Sequence, residues 1–176
     1  MIAKFKPTWM VKTVYNISPD QLKRQGIKAV LSDLDNTLIA WNNPDGTPEL
    51  RQWMTDLRRA GIPLIVVSNN SAQRVAKAVQ HLQLPFVSRS LKPLSFGIST
   101  ARQRLGLSKS EVVMVGDQLM TDMLAANVAG VRSILVQPLI NTDKWDTRIN
   151  RFFEKFVMKD LLNQYPELTW QEDLND

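Results

Sequence analysis

Two carboxylates one residue apart, Asp33 and Asp35, follow the apolar run Ile27 to Leu31. Such a run reads as a buried strand. In a parallel sheet the residues just past a strand enter the crevice where these folds bind ligands. Two acids held there repel each other, and a divalent cation that prefers oxygen, such as Mg²⁺, offsets the charge. Three later strand ends add polar groups. Leu64 to Val67 leads into Ser68-Asn69-Asn70, where a hydroxyl and backbone N–H groups ahead of a helix can hold phosphate. Leu91-Lys92-Pro93 puts a cation where a helix is expected to begin, at Pro93. A positive charge opposes the dipole at that end, which points to an anion for Lys92 to bind. Val112 to Val115 leads into Gly116-Asp117, with Asp122 on the first turns of the next helix. Gly116 allows another group to approach the backbone closely. Singly, these are ordinary caps, turn residues and a solvated lysine. As an ordered set they describe a site for a metal and a phosphate.

The elements that must deliver these residues alternate. Strands are expected at 27–31, 63–67, 84–87, 112–115 and 131–136. Between them run helical patterns, such as Leu50, Trp53, Met54 and Leu57 behind the cap Thr47-Pro48-Glu49. Alternation of this kind predicts an α/β fold with three layers, a Rossmann-like core with a five-stranded parallel sheet over 27–138. Residues 1–26 read as a basic N-terminal arm, with Phe5, Trp9, Met10 and Val14 between its lysines and a short helix after Ser18. Residues 139–176 read as a helical tail whose last residues are frayed. Its amphipathic helix sets Trp145, Ile149, Phe152, Phe153 and Phe156 on one face. Arg148, Arg151, Lys155 and Lys159 adjoin that face, with Asp143, Asp146, Glu154 and Asp160 largely cancelling their charge. The aromatic face is expected to pack on the sheet domain or to meet a membrane or partner.

Composition narrows the chemistry. With 176 residues, 44% of them apolar, the chain builds one domain around its own core. It has no cysteine, which excludes disulfides, zinc thiolate sites and a cysteine nucleophile. A single histidine, His81, excludes a histidine-rich metal centre and disfavours a Ser-His-Asp triad. No apolar run approaches the ~20 residues that span a bilayer. The expected location is cytoplasmic, with the arm either folded back over the domain, its lysines solvated, or in peripheral contact with an anionic membrane. Residues 1–28 hold six basic side chains against Asp20 alone, so the whole net charge of +5 sits there. The remainder is neutral and shows no firm nucleic-acid signal.

The motif set resembles the haloacid dehalogenase-like (HAD) phosphohydrolases. Asp33-Leu34-Asp35-Asn36-Thr37-Leu38 looks like the first motif of that superfamily, Ser68 the second, Lys92 the third, and Gly116-Asp117 with Asp122 the fourth. Val-Ser-Asn-Asn, Lys-Pro and Gly-Asp-Gln-Leu-x-Thr-Asp narrow the likeness to the YqeG-type branch of subclass IIIA. That branch is related to mitochondrial phosphatidylglycerophosphate phosphatases. The resemblance implies that Asp33 attacks phosphorus and carries an aspartyl-phosphate, and that Asp35 protonates the leaving oxygen and then activates water. It implies that Ser68, Asn69 and Lys92 hold the phosphoryl oxygens. Mg²⁺ would be bound by Asp33, the backbone carbonyl of Asp35, and Asp117. Asp122 would support the metal or Lys92, with Thr37 and Gly116 also behind the set. An acid at position 35 suits a phosphatase rather than a dehalogenase. Only 33 residues separate Asp35 from Ser68, and 24 separate Ser68 from Lys92. Neither gap has room for an inserted cap domain, so an open site is expected, with 42–46 as its flap. Trp41 is expected to anchor that flap, to touch substrate or to pack in the core. The residues alone also admit a module that uses the phosphate site to bind a protein or RNA partner with little turnover. The neutral core and the presence of Asp35 favour the enzyme.

Overall fold

The computed structural model describes residues 2–140 and 145–174, with backbone alone for 145–151. The expected roles of Trp145, Ile149, Arg148, Arg151, Asp143 and Asp146 lie outside the described side chains.

One parallel sheet runs through the molecule. Its strands are β1 (Trp9–Val11), β2 (Ala29–Ser32), β3 (Leu64–Val67), β4 (Phe86–Val87), β5 (Val112–Gly116), β6 (Arg132–Val136) and β7 (Trp170–Gln171). Their order across the sheet is β4-β3-β2-β5-β6-β1-β7, and every neighbouring pair is parallel. The apolar runs predict β2 to β6. The sheet has seven strands rather than five, because the arm and the tail each add one. Trp9, Met10 and Val11 pair with Ile134, Leu135 and Val136. Met10 and Val11 pair in turn with Trp170 and Gln171. Strands of two or three residues are too short to show a period. They form because the open edge of β6 offers backbone groups that must find partners.

The N-terminal segment is therefore part of the core. Val11, Val14, Ile17 and Leu22 are fully buried, and the Trp53 indole donates a hydrogen bond of 2.7 Å to the Ile17 carbonyl. Two of its lysines face outward onto the tail. Lys6 pairs with Glu167 at 2.9 Å and stands over the Tyr165 ring, and Lys12 pairs with Glu172. The tail is not frayed over its described residues: Leu168 and Leu174 are buried.

Helices cover both faces. α1 (Pro19–Arg24), α2 (Pro48–Arg59) and α3 (Ala72–Val79) pack on one face. α4 (Phe96–Leu105), α5 (Leu124–Ala129) and α6 (Trp145–Gln164) cover the other. Alternation along each strand divides the core. Val113 and Val115 face α2, and Val112 and Met114 face α4 and α5. Ser18 and Thr47 cap their helices by accepting from the Gln21 and Leu50 N–H groups, with Pro19 and Pro48 in the first turns.

Two expectations need correction. α4 begins at Phe96 with Ser95 at its cap, not at Pro93. Lys92 therefore precedes the helix by several residues, and the dipole does not act on it there. The described part of the aromatic face of α6 does not pack on the sheet: Phe152, Phe153 and Phe156 are all exposed. The helix is seated instead by Val157, Met158 and Leu161, against Met10, Leu119, Met123 and Leu135.

Candidate active site

The C-terminal edge of the sheet brings the strand-end residues together. Asp33 leaves β2 as sheet backbone, its N–H donating to the Val115 carbonyl at 2.9 Å. Its Oδ1 lies 2.7 Å from Lys92 Nζ, and the same ammonium lies 2.7 Å from Asp122 Oδ1. Carboxylate oxygens of Asp33, Asp117 and Asp122 all fall within 4.8 Å of one another. Thr37 donates to Asp117 Oδ1 at 3.3 Å, and the Gln118 N–H donates to Asp122 Oδ2 at 3.2 Å. Between Asp35 and Ser68 the chain forms α2 and its loop. Between Ser68 and Lys92 it forms α3 and β4.

Lys92 is held in place by its loop. Asn69 Oδ1 accepts from the Lys92 N–H at 2.8 Å and from the Ser90 hydroxyl at 2.7 Å, while Asn69 Nδ2 donates to the Lys92 carbonyl at 2.9 Å. The Asn69 side chain, expected on phosphate, is thus committed to the Lys92 segment. Ser68 is buried, and its hydroxyl accepts from the Asn70 N–H at 3.2 Å. Asp35 stands apart from the three clustered acids. Its Oδ2 accepts from Asn70 Nδ2 at 2.9 Å and lies 3.8 Å from the Arg74 guanidinium. Sequence reasoning assigned nothing to Asn70, Arg74 and Ser90. Asn70 stood inside the quoted Ser-Asn-Asn motif, but Arg74, four residues on, carried no signal of its own. Trp41 is 63% exposed, which removes the core-packing reading for it.

The sequence pattern of the haloacid dehalogenase-like hydrolases matches residues 20–130. "Probable phosphatase YqeG" of Bacillus subtilis (strain 168) is 36% identical over 168 residues, covering 96% of this chain and 97% of that protein. The chain belongs to the haloacid dehalogenase-like hydrolases. It is an enzyme of the phosphatase kind within that family. "Phosphatidylglycerophosphate phosphatase 1, chloroplastic/mitochondrial" of Arabidopsis thaliana is 29% identical over 147 residues, 78% of this chain but 42% of that protein. A crystal structure of an uncharacterized protein from Listeria monocytogenes serotype 4b shares the fold. Its TM-score is 0.53 at 15% identity, over 67% of this chain and 84% of that one.

In this HAD hydrolase the electrostatics of the cluster centre on Lys92. Burial alone would lower the pKa of its ammonium, but the carboxylates of Asp122 and Asp33 outweigh burial and hold it above its ordinary value. Asp122 is also pushed up, to about 6, by burial first and then by the Asp33 charge, against the pull of Lys92. The ion pair is the form that fits the geometry, because Asp122 accepts from both Lys92 and the Gln118 N–H. Lys92 therefore stays charged at neutral pH.

Gly116 sets how tightly this cluster closes. A Cβ there would stand 2.3 Å from the Asp122 Cγ and Oδ2 atoms, which Lys92 and Gln118 hold in place. Gly116→Ala should cost about 1–3 kcal/mol through overpacking and should displace the Asp122–Lys92 pair. Urea unfolding and phosphatase assays would both report it. A variant of wild-type stability and activity would show that Asp122 is not fixed.

Proposed function

We propose that this HAD phosphatase is a Mg²⁺-dependent phosphomonoester hydrolase that works through an aspartyl-phosphate on Asp33. The observation that carries the reading is the buried Lys92 ammonium, bonded to Asp33 beside a cluster of three aspartates. The fit to Mg²⁺ rests on the donor set. Three carboxylates converge within 4.8 Å, all hard oxygen ligands, and Lys92 pairs with two of them. Asp33 and Asp117 would hold the ion together with the backbone carbonyl of Asp35. When bound, Mg²⁺ supplies charge neutralisation and polarisation of the phosphoryl oxygens.

The chain's own residues account for the remaining steps. The Asp33 carboxylate attacks phosphorus as Lys92 offsets the phosphate charge. The Ser68 hydroxyl and the backbone N–H of Asn69 contact the equatorial oxygens, while the Asn69 side chain fixes the Lys92 loop. Asp35, half-exposed and hydrogen-bonded to Asn70, gives its proton to the leaving oxygen and then takes one from the attacking water. Asn70 and Arg74 orient its carboxylate. Thr37 orients Asp117, and Asp122 holds Lys92. With one helix between Asp35 and Ser68, the site is open and accepts large substrates. A lipid phosphate such as phosphatidylglycerophosphate is the substrate class that the Arabidopsis relative supports.

Hydrolysis of p-nitrophenyl phosphate should appear with Mg²⁺ and fall by at least about 100-fold in EDTA. The same pair of conditions on phosphatidylglycerophosphate in mixed micelles tests the substrate class. Turnover unaffected by EDTA would overturn the metal dependence.

A further inference from the structure

The aromatic ridge of α6 has no partner among the described residues. Phe152, Phe153 and Phe156 are exposed by 59%, 52% and 56%, and their rings cluster edge to face at 5.0–5.9 Å. Exposed phenylalanines on consecutive turns of a helix seated by its opposite face mark a surface that something covers.

The surrounding charge selects the occupant. Lys155 and Lys159 are exposed on the flank of this ridge. The acid just before Lys155 in the chain, Glu154, turns inward and accepts from the Met120 N–H at 3.2 Å. Asp160 is exposed one turn beyond Phe156, at the polar end of the helix. The flank is therefore basic where the aromatics lie. A second copy docking ridge to ridge would bring these lysines toward one another. An anionic lipid surface would pair with them while its acyl region took the rings. The lysine flank is also continuous with the catalytic edge. Lys155 and Lys159 line a cavity of about 540 Å³ whose other walls include Asp117, Leu119, Met158 and Trp170.

We propose that α6 is a lipid-docking face, with Phe152, Phe153 and Phe156 inserted in an anionic bilayer surface and Lys155 and Lys159 on its headgroups. The basic N-terminal segment, for which the sequence admits this contact as an alternative, pairs Lys6 and Lys12 with Glu167 and Glu172 instead. The proposal goes beyond the phosphatase reading and does not depend on it.

The test is co-sedimentation of the full chain with vesicles of equal parts phosphatidylcholine and phosphatidylglycerol, and with phosphatidylcholine alone. Neither lipid is a phosphomonoester, so retention is independent of turnover. Wild type should sediment with the mixed vesicles and release at high salt. The triple variant Phe152→Ser, Phe153→Ser, Phe156→Ser should lose about tenfold or more of that binding. These side chains are exposed, so its thermal melt should match wild type. Lys155→Ser with Lys159→Ser should lower binding to the mixed vesicles alone. Wild type left in the supernatant, or a triple variant that binds as well as wild type, overturns the proposal. So does a wild-type dimer in sedimentation velocity that the triple variant dissolves, because a second copy would then be the occupant.

Discussion

Asp33→Asn should leave a folded protein whose turnover of p-nitrophenyl phosphate is lower by roughly 10⁴-fold or more, the scale seen when a nucleophile is removed. The amide keeps the shape of the carboxylate but cannot form the covalent intermediate. Stability should change little in the absence of metal. Lys92 still pairs with Asp122 at 2.7 Å, and the variant removes one of three mutually repelling acids. The response to Mg²⁺ should change more. An ion that binds the folded state raises its stability by mass action, by about 2.7 kcal/mol at a hundred times its dissociation constant. Wild type should therefore show a rise in Tm on addition of Mg²⁺ that EDTA reverses, and Asp33→Asn should show a much smaller one. Appreciable turnover by Asp33→Asn would remove the covalent mechanism. An unchanged Tm response would remove Asp33 from the metal site.

Lys92→Met should be the most destabilising single change in the site. The ammonium is almost fully buried, and it bridges Asp33 to Asp122, which is itself 1% exposed. Removing one partner of a buried pair costs about 3–5 kcal/mol, because the other charge stays buried without compensation. The loss should depend on pH. Burial already raises Asp122 to about 6 in the folded protein, above its ordinary value. A folded-state pKa raised in this way means the folded protein binds the proton more tightly than the unfolded chain does. Stability then falls as pH rises from the ordinary carboxylate range through the folded value. Without Lys92 the upward shift should grow, so urea unfolding in EDTA should show a larger deficit at pH 8 than at pH 5. The double variant Lys92→Met, Asp122→Leu removes both charges and should recover most of the stability while phosphatase activity stays lost. If Lys92→Met unfolds like wild type, the buried pair is not what closes the site.

The core was legible in the sequence because its signals are local. Short apolar runs of four or five residues, each ending in a polar group, marked β2, β3 and β5, and the stretch 131–136 marked β6. Thr47-Pro48 and Ser18-Pro19 announced their helices through the chemistry of the first turn. The strand-end residues Asp33, Ser68 and Asp117 could be placed at one edge because every strand of a parallel sheet points its C-terminal end the same way. The reading of Lys92 reached an anion site through a helix start that is not there. What positions Lys92 is the Asn69 side chain and the carboxylates of Asp33 and Asp122.

By itself, then, the sequence determined the alternating elements, the edge on which the polar residues gather and the acidic, metal-compatible character of the site. Each follows from neighbours within a few residues. Only the tertiary structure decided the two added strands, the pairing of the N-terminal lysines with tail acids and the outward turn of Phe152, Phe153 and Phe156. It alone decided that Asp122 shares Lys92 with Asp33, across separations of 30 and 59 residues. Such contacts leave no periodic trace, because they depend on which free edge or buried charge is nearest once the sheet has formed.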